Sequence, residues 1–263
     1  MGLVETQAII LQTFKLADAD KIAVFMTEKA GLVRGVAHGA RRLKSRFGAG
    51  LEPFTVVRVS YFEKESRELV TLKEAEIVKS YFGAARDADV VQALGYLAEL
   101  VKEFAPPRQS DEKLYRMLRA SIDAAARNPE LLQPITIYAE LWALKLTGLL
   151  ADARACAGCG RRPKEVGGGA CVSNEGVVRC HACRQGGWQA VTAGLHGLLC
   201  EMHSNGPEVW ARSCLKVSHE ERQTLSGLAR RLVLRALERE PRSAKVSTRL
   251  PQTAAGAGGE QGI

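Results

Sequence analysis

A chain of 263 residues with 46% hydrophobic and 25% charged side chains has ample material for packed cores, and its formal charge of +8 asks for an anionic partner, either nucleic acid or an acidic membrane surface. No apolar run approaches the roughly 18 residues of a membrane span, and Met1-Gly-Leu-Val-Glu-Thr6 lacks the basic stretch and apolar core of a secretory leader. Seven cysteines, four of them at metal-ligand spacing, imply a reducing cytoplasm rather than a disulfide framework.

Residues 3–82 are predicted to be β-rich. Residues 4–11 form an apolar run centred on Ala8, Ile9 and Ile10, and residues 22–26 form a second. The turn signal Lys29-Ala-Gly31 followed by the run 32–37 predicts a hairpin. Residues 54–62 alternate, with Val57, Val59 and Tyr61 against Arg58 and Ser60, and residues 69–72 and 75–81 continue the β-like pattern. About five short strands in this length point to a small closed barrel of OB type.

Within that region, residues 34–47 read R-G-V-A-H-G-A-R-R-L-K-S-R-F, with five cations (Arg34, Arg41, Arg42, Lys44 and Arg46) and no acid. Positive charge on a glycine-punctuated segment suits a phosphate backbone, because each neutralised phosphate releases condensed counterions. The competing reading is a solvated basic loop. His38 lies among these cations, where it could donate to a phosphate. Phe47 is the one aromatic in the segment and the candidate for stacking on a base. Phe14, Phe25, Phe54, Tyr61, Phe62, Tyr81 and Phe82 fall mostly in strand patterns that predict core packing. Binding dominated by the backbone, independent of sequence and strongly salt-dependent is therefore expected.

Near Ala84 the period changes. Residues 87–104 carry Val90, Val91, Leu94, Leu97, Ala98, Val101 and Phe104 at helical spacing, stopped by Ala105-Pro-Pro107. Ser110 is predicted to cap a second helix, with Asp111 and Glu112 in its first turn, ending at Asn128-Pro129. Residues 130–150 form a third, tolerating Pro134 near its start. Residues 195–203 and 220–239 also read as helical. Residues 222–249 hold eight cations and two acids, which fits either a solvated amphipathic helix or a second anion-binding surface. The Gly- and Ala-rich end predicts disorder. The expected organisation is α+β: an OB-type, DNA-binding barrel over 1–83, a helical domain over 84–151 and 191–240, a zinc-binding insertion over 152–190, and a disordered tail over 241–263.

The insertion rests on Cys156-Ala-Gly-Cys159 and Cys180-His-Ala-Cys183, two C-x2-C pairs twenty residues apart. Two thiolates three residues apart on a tight turn can reach one ion, and the second turn completes a tetrahedron. Four thiolates leave no open position, so one structural Zn2+ is expected rather than a catalytic one. Cys171 has no partner at that spacing and reads as a strand cysteine.

No P-loop and no H-E-x-x-H is present, and Ser110-Asp-Glu-Lys113 reads as a helix start rather than a catalytic S-x-x-K. His38, His181, His196, His203 and His219 are scattered, although His196 and His203 could share one helix face. The chain is therefore expected not to be an enzyme. A zinc-dependent nucleic-acid enzyme such as a nuclease would need acidic or histidine clusters. A basic scaffold that binds only proteins is the other alternative.

The motif Gly39-Ala-Arg-Arg-Leu-Lys-Ser-Arg-Phe47, its sequel Leu51-Glu-Pro-Phe54, the opening Glu5-Thr-Gln-Ala-Ile-Ile-Leu11 and the C-x2-C pairs together resemble the bacterial recombination-mediator family RecO over residues 3–240. The resemblance implies an OB fold, a helical domain and a zinc element. It also implies binding to single- and double-stranded DNA, annealing of complementary strands, and action with RecR in loading RecA onto DNA coated by single-strand-binding protein (SSB), whose acidic C-terminal tail is bound too. On matching positions, Arg34, Arg41, Arg42, Lys44 and Arg46 would contact DNA in a cytoplasmic, nucleoid-associated setting without a membrane.

Overall fold

A computed structural model describes residues 2–63, 68–106, 108–163, 169–241 and 243. Five strands, β1 (Gly2–Lys15), β2 (Lys21–Thr27), β3 (Gly31–Ala37), β4 (Val56–Glu63) and β5 (Val70–Lys79), close into a barrel in the order β1-β2-β3-β5-β4. All neighbours are antiparallel except β3 and β5, which meet in parallel at Gly35 and Val70. The two β-like stretches at 69–81 are one strand, interrupted by a register shift between Ser60 and Tyr61 opposite. Gly31 closes the β2–β3 hairpin at φ +65, and a Cβ there would meet the Gln109 carbonyl at 2.0 Å, so only glycine fits.

Period-two patterning decides the barrel interior. Ala8, Ile10, Ala23, Phe25, Val57, Val59, Tyr61 and Leu72 point inward into one core, with Phe25 and Tyr61 edge to face at 5.9 Å. Ile9, Leu11, Val24, Met26 and Leu32 instead join a second, larger core with the helices. The helical region therefore packs on the outside of the barrel. Lys102 donates to Gln12 and Arg119 to Gln7, each at 2.7 Å, and Lys79 and Tyr81 both bond Asp123, which fastens the two layers together.

Three helices, α1 (Ala88–Phe104), α2 (Glu112–Arg127) and α3 (Leu132–Leu146), form the centre of that layer. Asp87 caps α1. Asp111, not Ser110, caps α2 by accepting from Leu114 N, because the chain turns helical one residue later than expected. α3 is shorter than predicted: Pro129–Leu131 form a separate 3-10 turn, and Gly148 at φ +77 ends the last turn. A three-stranded sheet follows, ordered β7-β6-β8, with β6 (Ala170–Val172), β7 (Val178–Cys180) and β8 (Gln189–Val191). α4 (Ala193–Glu201), α5 (Pro207–Cys214) and α6 (His219–Leu237) complete the chain. α5 was not anticipated; its eight residues carry too short a stripe to stand out, yet they bury Trp210, whose indole donates to Leu198 O at 2.8 Å. α6 opens with a capping box between Ser218 and Glu221. Almost all of the tail predicted to be disordered lies outside the described residues.

Candidate nucleic-acid interface and cysteine cluster

The basic segment begins on β3 and continues through the connection to β4. Arg34 stands exposed on the outer side of β3, between buried Val33 and Gly35. Beyond Ala37 the chain turns at Gly39 (φ +72), whose amide donates to Asp20 Oδ1 at 2.8 Å. His38 Nδ1 meets the other Asp20 oxygen at 2.7 Å. The Gly39 amide first, and then His38, hold the Asp20 carboxyl below its usual range. Arg41 donates its amide to Ala19 O and its guanidinium to Ala17 O and Asp18 O, at 2.9 to 3.1 Å. The loop is thus pinned to the β1–β2 turn, and Arg41 and His38 contribute to that pinning.

The far end is anchored by burial. Phe47 and Leu51 are 3% and 1% exposed and plug the barrel core, while the Arg46 guanidinium lies 5.0 Å above the Phe47 ring. This corrects the expectation for Phe47: an apolar ring sealed in a barrel core presents no face to a base. Phe54 takes a left-handed backbone (φ 67) and packs on the helical core, so Leu51-Glu-Pro-Phe54 closes the loop rather than lining a site. Between the anchors, Arg42, Leu43 and Lys44 stand exposed at the apex, Leu43 completely so. Among the described residues, none of the five cations forms a salt bridge with a carboxylate.

In the segment 156–183 the four cysteines converge. Cys156 and Cys159 sit on a tight turn, Cys180 ends β7 and Cys183 ends a 3-10 turn; their sulfurs lie within 4.8 Å of one another. The Sγ atoms of Cys159 and Cys180 are 3.9 Å apart. A tetrahedron with metal–sulfur bonds of about 2.3 Å has edges of about 3.8 Å, so this group can hold a metal ion. Amides of Gly158 and Cys180 donate to Cys156 Sγ at 3.3 and 3.2 Å. A Cβ on Gly158 would crowd Cys183 at 3.0 Å, so glycine lets the two turns approach. Burial pushes the Cys156 thiol up, but amides of Cys180, Cys159 and Gly158 more than offset it and bring it down to about 6. Cys183 is pushed up to about 12 by the sulfurs of Cys180 and Cys159. Four sulfurs this close cannot all ionise without a cation among them. Cys171 is buried in the middle of β6, and His181 points to solvent outside the cluster.

Comparison with known proteins decides the family. The model described as recombination protein O N terminal matches residues 1–81, and recombination protein O C terminal matches residues 85–245. The chain belongs to the RecO family. It is 33% identical over 158 residues to the DNA repair protein RecO of Koribacter versatilis, covering 60% of this chain and 64% of that protein, just under two thirds of its length. The Anaeromyxobacter sp. strain K protein of the same name is 32% identical over 188 residues (71% and 72% coverage), and that of Symbiobacterium thermophilum 34% over 202 (75% and 78%). The RecO family is named for DNA repair, not for an enzymatic reaction.

In this RecO-family chain the remaining candidates are structural. His196 is buried and meets Ala153 O at 2.8 Å, whereas His203 lies beyond the end of α4, against Lys145 and Asp152, so the two do not share a helix face. Burial, reinforced by the Lys145 charge, lowers the pKa of His203. Part of the second basic region is paired: Arg230 with Glu240, Arg235 with Glu175 and Arg239 with Glu103. Arg242, Lys245 and Arg249 lie outside the described residues. Asp20, which orders the basic loop, was missed from sequence; its only signal was an acid in a β1–β2 turn adjoining a cationic segment. Among the described residues no helix is long and apolar enough to cross a membrane.

Proposed function

We propose that this RecO-family chain is a DNA-binding recombination mediator. It anneals complementary single strands and, with RecR, helps load RecA onto SSB-coated single-stranded DNA. The observation that carries this reading is the basic segment on the barrel: Arg34 on β3 and four cations on a loop held from both ends, none of them in a salt bridge among the described residues. Such a surface neutralises phosphates by counterion release and lets two strands approach with their repulsion screened, so pairing is faster while sequence goes unread. Arg34, Arg42, Lys44 and Arg46 supply the contacts, while Arg41 and His38 also shape the loop.

The strand order β1-β2-β3-β5-β4 suits an OB-type barrel as the DNA-binding domain over 1–83. The cysteine cluster would hold one structural zinc: four sulfurs close the shell, so the ion's chemistry is to fasten residues 152–190, not to activate water. Single- and double-stranded DNA, RecR and the SSB tail are the partners, in the cytoplasm at the nucleoid. The test is a gel shift with Arg42→Gln/Lys44→Gln, which leaves the loop anchors intact. Weaker binding with a flatter salt dependence is expected; unchanged binding refutes the reading.

A further inference from the structure

With Phe47 buried, the question is which side chain meets a base once the strand is held. We propose that Phe14 is the base-stacking platform, on the outer face of β1, β2 and β3; this rests on the DNA-binding reading above. The register places it there. Ile10 pairs with Phe25 toward the barrel interior, and a bulge between Ile10 and Gln12 then restarts the alternation, so Gln12 and Phe14 both face outward. Phe14 stands directly opposite Ile22, and Ile22 opposite Val36, which makes one apolar row across three strands.

Among the described residues neither core extends over this row. Toward the other end of the same face, Leu11, Val24, Met26 and Leu32 are buried under the helices, but Phe14, Ile22 and Val36 belong to neither core. Phe14 is 47% exposed, with Ile22 and Val36 half-buried. Arg34, two residues before Val36, stands on the same face, roughly 10 Å or two strand spacings across from the β1 row. At the barrel rim, on the other side of the strands from Phe14, Lys15 lies directly opposite Lys21, which pairs with Glu52 at 3.6 Å. In the β1–β2 turn, Asp20 is engaged by Gly39 and His38, and Asp18 stands exposed with its carbonyl taking the Arg41 guanidinium.

An exposed ring on the face that carries Arg34, which forms no salt bridge among the described residues, matches a ligand that carries flat apolar faces and anions in alternation. Single-stranded nucleic acid is that ligand; in a duplex the faces are already stacked on one another. The ring takes the base, and Arg34 and the basic loop take the phosphates.

The test uses the full chain and labelled oligo(dT), beside a duplex of equal length, across a salt series. Phe14→Ala should weaken oligo(dT) binding by about 5- to 100-fold and duplex binding far less, with the salt slope unchanged, since no charge is removed. Phe14→Trp should keep the affinity and show emission quenched by oligo(dT) over the constant background of Trp142, Trp188 and Trp210. Unaltered binding by Phe14→Ala, while Arg42→Gln/Lys44→Gln flattens the slope, overturns the platform and leaves the DNA-binding reading standing. Equal losses on both DNAs, or no quenching in Phe14→Trp, also overturn it. If neither set of variants alters binding, both readings fall.

Discussion

Glu140 on α3 offers a stability test whose sign and size both follow from its surroundings. Its carboxyl is buried among helices α1, α3 and α6, where Tyr96 donates to it at 2.5 Å and Arg230 is the nearby cation. Burial pushes the group from an ordinary 4.5 up to about 7, and the Tyr96 hydroxyl and Arg230 only partly oppose that. Between those values the native state holds a proton that the unfolded chain has released, so stability falls as pH rises through 7 and levels off above it. The cost at pH 8 is about 3 kcal/mol, from about 1.4 kcal/mol for each pH unit between the two values. Glu140→Gln keeps the shape and an acceptor for Tyr96 but carries no charge. It should match the parent near pH 4.5 and exceed it by about 3 kcal/mol at pH 8, or about 6–12 °C in Tm. Urea melts of both proteins at the two pH values make the measurement. A difference that is the same at both would refute burial as the cause.

For DNA binding, five cations each neutralising one phosphate of a single strand give a slope of log affinity against log salt of about −3.5, falling to about −2 in Arg42→Gln/Lys44→Gln; fluorescence anisotropy across a salt series reads both. Phe47→Leu should fold and bind oligo(dT) like the parent, because the ring fills the barrel core; a stable variant that has lost single-strand affinity would restore a stacking role. Metal analysis should find about one zinc per chain. Cys156→Ser/Cys180→Ser should impair folding more than DNA contact, read by thermal melting beside a gel shift; a stably folded variant without DNA binding would make the cysteine element a DNA contact.

The strands, the long helices and the cysteine pairs were legible because each is written in local spacing. Alternation at Val57, Val59 and Tyr61 gave β4, a helical stripe from Val90 to Val101 gave α1, and C-x2-C spacing brought the four sulfurs together. Short or adaptable features were not legible. Asp111 displaced Ser110 as a cap by one residue, α5 had too few turns to show a period, and Arg235 and Arg239 turned out to face Glu175 and Glu103 from distant parts of the chain.

The aromatic residues divide the two kinds of knowledge most sharply. By itself the sequence determined a basic segment of five cations, a β-rich region to carry it and a four-cysteine element, since composition and spacing are properties of the chain alone. Only the tertiary structure decided which ring lies bare on the outer face of β1, β2 and β3. Phe47, among the cations, closes the barrel, while Phe14, past the end of the predicted run 4–11, is turned outward by a bulge and joins neither core. The side of a sheet on which a residue falls depends on pairing with other strands and on what covers that face, and neither is encoded in its immediate neighbours.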